Sequence, residues 1–145
     1  MQNRLLPLLA TAIIPMFASR KINNLWFDNC EKVLDPKNKV AKELHGLISV
    51  IKPLTTEWAL KAMDESRKAM GGLGYSTYAE IPRMIADSHI IVTWEGDNTV
   101  LLQQVGKFIL KGIERIAKGK DYAYESLKYL QEDDLEDFRS TCQSA

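Results

Sequence analysis

The residue in this sequence best placed to do chemistry is Glu95. It follows the apolar run Ile90-Ile91-Val92-Thr93-Trp94 and precedes Gly96 and a helix start at Asp97 or Asn98. Burial beside Val92 and Trp94 favours the neutral acid, whereas a helix N-terminus favours the carboxylate. Opposed effects of this kind suit a general base. The same residue also fits a capping arrangement without chemistry, and spacing alone leaves both open. A second candidate is Gly71-Gly72-Leu73-Gly74-Tyr75-Ser76. Three glycines in four positions allow backbone amides to approach a ligand closely, and such amide clusters suit phosphate groups. A plain helix cap and turn accounts for them equally. No Gly-Lys-Ser/Thr follows, so this is not a P-loop. Cys30, Cys142, His45 and His89 have no zinc-ligand spacing, and no metal site is expected.

Helices must carry these residues. Val40, Leu44, Leu47, Ile48, Ile51, Leu54 and Trp58 recur at steps of three and four, extended by Ala62, Ala69 and Met70. This predicts one long helix, or two coaxial ones, over 35–70. Asp35 is its expected N-cap, Pro36 lies in its first turn, Pro53 kinks it and Gly71-Gly72 stop it. A second stripe, Leu101, Val105, Phe108, Ile109, Ile113 and Ile116, predicts a helix ending near Gly119. Tyr122–Leu130 is a weaker helix, and Glu132, Asp133, Asp134, Glu136 and Asp137 read as a solvated tail. Near the start, Arg4 followed by Leu5 to Ser19 could pass for a signal peptide, but the stretch reads better as an almost fully buried helical segment. Pro7 and Pro15 interrupt it, and it is too short to span a bilayer. The expected fold is all-α, an antiparallel bundle of three or four helices over 1–120, with a short helix and acidic tail over 121–145. The connection over 71–100 is long enough for such a bundle to suggest a functional role.

Composition narrows the classes. The 145 residues carry 19 Lys plus Arg against 19 Asp plus Glu, a formal net charge of zero, which argues against nucleic-acid binding. Apolar residues make up 46% and charged ones 26%, as in ordinary globular proteins rather than disordered ones. Two distant cysteines make no disulfide scaffold, and a reduced compartment is expected.

The glycine turn, followed by Thr93-Trp94-Glu95-Gly96-Asp97-Asn98-Thr99-Val100-Leu101-Leu102-Gln103-Gln104, resembles the acyl-CoA oxidase family. The wider acyl-CoA dehydrogenase superfamily shares a Gly-Gly-x-Gly-Tyr turn and an aromatic-Glu-Gly, but the Asp-Asn-Thr-Val-Leu-Leu-Gln-Gln continuation looks like the oxidases. Arg4 to Ala12 and Glu43-Leu44-His45-Gly46-Leu47 also resemble helices of that family. The resemblance implies the helical domain following the β-barrel of a flavoenzyme. Glu95 would remove the α-proton of a fatty acyl-CoA, and the β-hydrogen would leave as hydride to FAD, giving a trans-2-enoyl-CoA. Oxygen would then reoxidise the flavin to yield hydrogen peroxide. Gly71, Gly72, Gly74, Gly96 and Asp97 would lie along FAD or CoA, partly across the interface of a homodimer. A peroxisomal location is implied, without membrane insertion, although Cys142-Gln143-Ser144-Ala145 is not a Ser-Lys-Leu type signal.

Met70 and Leu73 stand where the family commonly has Cys and His, and Trp94 stands where tyrosine is usual. These departures bear on substrate preference. The domains that hold much of the flavin are missing from the 145 residues, so the chain alone is expected to bind FAD weakly and to turn over nothing. The alternative is a helical module retained for subunit contact. A Glu95 carboxylate turned into water, remote from the glycine turn, would remove the enzymatic reading and leave only a bundle.

Overall fold

The long stripe beginning at Val40 forms the central helix α3, Lys39–Ala69, of a computed structural model that describes residues 2–120 and 124–131. Two other long helices flank it. α1 spans Gln2–Asp28 and α5 spans Asn98–Ala117, with the short helices α2, Cys30–Val33, and α4, Ile81–Ser88, in the connections. Both long neighbours run antiparallel to α3. Leu8 of α1 shares a cleft with Ala62, and Leu25 shares another with Leu47. On the other side, Asn98 meets Thr56 while Phe108 meets Gly46. The all-α antiparallel bundle is therefore present, and no strand occurs among the described residues. Ile90 to Val92, despite their β-branched side chains, lie in a 3₁₀ turn over His89–Val92. No neighbouring strand is available to complete their backbone pairing.

The helices pack closely where α5 crosses α3. A Cβ on Gly46 would sit 3.0 Å from the Phe108 ring, so glycine permits this approach. Phe108 stacks in turn on Tyr124, with centroids 4.7 Å apart. Beyond α5 the chain folds back in a 3₁₀ segment, Glu125–Gln131, which buries Leu127 and Leu130. The Ser126 N–H donates to the Glu43 carboxylate at 2.7 Å and ties that segment to α3. It replaces the α-helix expected over Tyr122–Leu130. Residues 121–123 and the acidic run from Glu132 lie outside the described residues.

Three expectations need correction. First, α1 is one continuous 27-residue helix through Pro7 and Pro15. Each proline removes one backbone bond, but α1 lies along α3 over most of its length, and that packing holds both sides of each proline in register. Second, α1 has no buried residue: Phe17 is 68% and Phe27 is 74% exposed. Among the described residues its one large neighbour is α3, which covers one stripe of a helix apolar on several sides. Among the described residues it is the helix long and apolar enough to cross a bilayer by length and composition, so the expectation of a segment too short to span does not hold. Here it packs on α3, pinned by an Arg4–Glu65 ion pair at 3.0 Å. Third, Asp35 and Pro36 form a turn before α3 rather than its first turn. The Lys37 N–H donates to the Asp35 carboxylate, and Asn38 caps α3 by accepting from the Val40 N–H. An Asx turn already occupies the Asp35 side chain, leaving Asn38 free to cap.

The helix runs unbroken through buried Pro53. Beside it, the Thr55 and Thr56 hydroxyls donate back to the main-chain carbonyls of Ile51, Lys52 and Pro53, so neither hydroxyl is left without a partner against the helix.

Candidate active site

Both expected functional turns are attached to α3, at different levels. The glycine turn caps its C-terminal end. Gly71 has φ +60°, the left-handed conformation after a helix, and Gly71–Tyr75 then form a 3₁₀ turn. Gly74 is buried, and a Cβ there would overlap the Arg67 carbonyl oxygen. The Arg67 guanidinium lies 4.8 Å from the centre of the Tyr75 ring and pairs with Asp64 at 2.7 Å, locking the turn onto the helix. Hydrogen bonds from Lys68, and then from Arg67, hold the Asp64 carboxyl below its usual range. Lys68 and Arg4 do the same for Glu65.

The Glu95 turn sits at the opposite end of the same connection. Thr93 and Trp94 N–H groups both donate to the Ile90 carbonyl at 3.0 Å. The chain then reverses through two consecutive positive-φ residues, Glu95 at +55° and Gly96 at +110°. For Glu95 this conformation costs on the order of 1 kcal/mol, and it persists only if the surroundings hold it. Asp97 caps α5, its carboxylate accepting from the N–H groups of Thr99 at 2.9 Å and Val100 at 3.3 Å, as one of the two expected caps.

Beneath this turn lies a hydrogen-bonded circuit that sequence reading missed. Lys52 Nζ donates to the Gly96 carbonyl and to Asn98 Oδ1, both at 2.7 Å. Asn98 Nδ2 donates to Thr56 Oγ1 at 2.9 Å and Glu57 Oε1 at 3.0 Å, and the Thr56 hydroxyl donates back to the Lys52 carbonyl. Asn98 is only 7% exposed. No spacing rule links positions more than forty residues apart. The one available hint was a polar Asn at the first turn of an otherwise apolar helix.

The expected burial of Glu95 against Val92 and Trp94 is not found. Glu95 is exposed, Trp94 is 53% exposed, and the carboxylate has no hydrogen-bond or ion-pair partner among the described residues. A positive φ swings the side chain away from the preceding apolar run, so adjacency in sequence did not become contact. The Glu95 main-chain N–H also has no acceptor among the described residues and remains available as a donor. The two turns are not in contact through a shared pocket. Their anchor points on α3, Lys52–Glu57 and Arg67, lie roughly 15–22 Å apart along the helix axis.

The five residues expected at the cofactor divide accordingly. Gly71 and Gly72 lie exposed, and a Cβ at either would meet nothing within 4 Å, so their backbone is open to a flat or phosphate-bearing group. That fits a dinucleotide lying along the turn. Gly74 is accounted for by packing on Arg67. Gly96 is required by its own φ and by Leu101, 3.2 Å from where a Cβ would stand. The Asp97 carboxylate is engaged by the amides of α5. A cleft of about 490 Å³ lies elsewhere, between α3 and α5, beside His45 and Phe108. Among the described residues no group of three or more His, Cys, Asp or Glu could hold a metal ion.

The chain is thus an all-α antiparallel bundle whose long connection carries an αL glutamate at one end and an open glycine turn at the other. Residues 1–110 match the family model described as acyl-CoA oxidase, C-alpha1 domain, and the chain belongs to the acyl-CoA oxidase family. The peroxisomal acyl-coenzyme A oxidase 1 of Arabidopsis thaliana is 34% identical over 119 residues, covering 82% of this chain and 18% of that protein. The acyl-coenzyme A oxidase 1 of Yarrowia lipolytica is 32% identical over 142 residues, covering 89% and 20%. The crystal structure of acyl-CoA oxidase 1 from Yarrowia lipolytica superposes with a TM-score of 0.78 at 30% identity, over 91% of this chain and 21% of that one. The chain thus spans about a fifth of the length of the relatives it matches.

Proposed function

We propose that this chain supplies the general base and one wall of the flavin site of an acyl-CoA oxidase acting in peroxisomal fatty acid β-oxidation. The observation that carries the reading is the Glu95 turn itself. A carboxylate and a free main-chain N–H leave the same residue, at the start of α5, in a strained conformation that the fold maintains. An outward Glu95 remote from the glycine turn is by itself the arrangement expected of a contact module, and it is family membership over residues 1–110 that sets the enzymatic reading above it.

In this reading the Glu95 carboxylate takes the proton from the carbon next to the thioester carbonyl of a fatty acyl-CoA. That proton is weakly acidic, so the base must be held against it and the developing oxyanion must be stabilised. The Glu95 main-chain N–H is the donor this segment offers to that oxygen. A bound FAD would supply the acceptor for the β-hydrogen as hydride and pass the electrons to oxygen, giving hydrogen peroxide. Gly71 and Gly72 present the open backbone along which it would lie. The dry surroundings a proton-abstracting carboxylate needs are not provided by the described residues, since Glu95 faces outward. Their provision falls to surfaces that close over α5, including the partner subunit of the proposed homodimer. The reading therefore predicts that the 145 residues alone bind FAD weakly and reduce none of it with an acyl-CoA.

The deciding experiment is Glu95→Gln in the flavin-loaded enzyme that contains this chain. Flavin content should be unchanged, and flavin reduction by a fatty acyl-CoA should fall by roughly 10⁴-fold or more, the order expected for loss of an essential base. Reduction at the parent rate would remove Glu95 from the chemistry and leave the helical module as a contact surface.

A further inference from the structure

Resting on the reading of Glu95 above, we propose that Lys52, acting with Asn98, is a positioning residue that holds the Glu95–Gly96 turn in the orientation proton abstraction requires. The turn is fixed before Glu95 by two N–H bonds to the Ile90 carbonyl. After it comes Gly96 at φ +110°, the most freely rotating link in the segment. Asp97 secures α5 from the helix side, but its cap bonds begin beyond Gly96 and leave the Gly96 peptide plane unheld. Lys52 Nζ closes that gap at 2.7 Å from the Gly96 carbonyl.

The lysine is itself held. Asn98 accepts its second hydrogen bond, and the Asn98 amide is oriented by Thr56 and Glu57, so neither group can rotate without breaking a bond at the other end. The Glu57 carboxylate joins through Asn98, bringing a negative charge to balance the ammonium. All four side chains share one stretch of α3 and the first residue of α5. The Gly46–Phe108 contact joins α5 to α3 further along, and the Asn98 bonds join its first residue. The Lys52 bond to the Gly96 carbonyl is the one member of the circuit that reaches the turn itself. A charge-assisted donor there converts a glycine hinge into a fixed mount.

The test compares Lys52→Met, Lys52→Arg and Glu95→Gln in the same flavin-loaded enzyme. Two rates are read for each: exchange of the substrate α-hydrogen with D₂O, which reports the base, and flavin reduction. Lys52→Met should lower both rates roughly 10- to 100-fold while KM for the acyl-CoA stays within about twofold, since the misplaced group acts on the transition state. Lys52→Arg, which keeps a cationic donor, should restore most of the loss. Parent rates in Lys52→Met, or equal losses in Met and Arg variants, would overturn the positioning role. If Lys52→Met does not fold, the near-isosteric Asn98→Leu removes the oxygen that holds the Lys52 ammonium in place. Parent rates there overturn the proposal equally. The Glu95→Gln arm separates the two readings. Normal α-exchange in that variant defeats the base assignment itself, whereas abolished exchange alongside an unaffected Lys52→Met defeats only the positioning inference.

Discussion

Gly72 and Gly74 stand two positions apart in one turn and answer to different constraints. At Gly74 a methyl group would overlap the Arg67 carbonyl, and main chain cannot step aside. Gly74→Ala should cost about 1–3 kcal/mol, read as a lowered melting temperature, because overpacking against backbone forces the turn off α3. At Gly72 a methyl group meets nothing, so Gly72→Ala should leave stability within about 0.5 kcal/mol of the parent. If the turn backs the flavin, Gly72→Ala should nonetheless weaken FAD binding in the flavin-loaded enzyme, measured by fluorescence titration. Equal flavin affinity in that variant would place the cofactor elsewhere. Leu73, 71% exposed, and Met70 occupy the positions where the family commonly has other residues. Both face outward, where they can alter what lies against the turn without altering the turn. The motif therefore marked where the turn lies. It did not distinguish a glycine needed by a ligand from one needed by a neighbouring carbonyl, because both leave the same letter in the sequence.

At the scale of elements, the start of α5 depends on Asp97. Its carboxylate satisfies two N–H groups that have no partner within the helix. Asp97→Ala should destabilise the chain by about 1 kcal/mol in denaturant unfolding, with Asp97→Asn recovering most of it. The α1–α3 pairing has its own pH signature. Lys68 and Arg67 depress the Asp64 carboxyl, and Lys68 and Arg4 depress that of Glu65. Carboxyls lowered in the folded state stabilise it above the ordinary carboxylate range of about 4. The contribution falls away as pH drops through the still lower folded values. Protection factors in the first turns of α1, corrected for the intrinsic pH dependence of amide exchange, should therefore fall below about pH 4 and be unchanged between pH 6 and 8. Glu65→Gln should remove part of the pH dependence, and because these groups are exposed, added salt should also shrink it. Helix positions and stops were readable at this scale: the α3 and α5 stripes, Gly71 and Gly119 all fall where the spacing put them. The start of α3 was displaced from Asp35 to Asn38 because an Asx turn used the earlier side chain first.

Taken whole, the molecule buries few large apolar side chains among its described residues, Leu44, Leu127 and Leu130, while α1 leaves Leu9, Ile14, Met16, Phe17 and Phe27 open. A surface of that kind does not remain in water unaccompanied. The isolated chain should self-associate as its concentration rises, seen by light scattering after size exclusion, and Phe17→Lys with Leu9→Lys should shift it towards monomer. A monomer at every concentration would contradict that expectation.

The sequence by itself determined the helical periods, the cap of α5 and the family, because each is written in local spacing or in a short ordered motif. Tertiary structure alone decided which faces stay open, that Gly74 serves packing while Gly72 does not, and that Lys52 reaches across more than forty residues to the Gly96 peptide. Those outcomes follow from how helices cross, and the distance between two side chains on different helices has no counterpart in their separation along the chain.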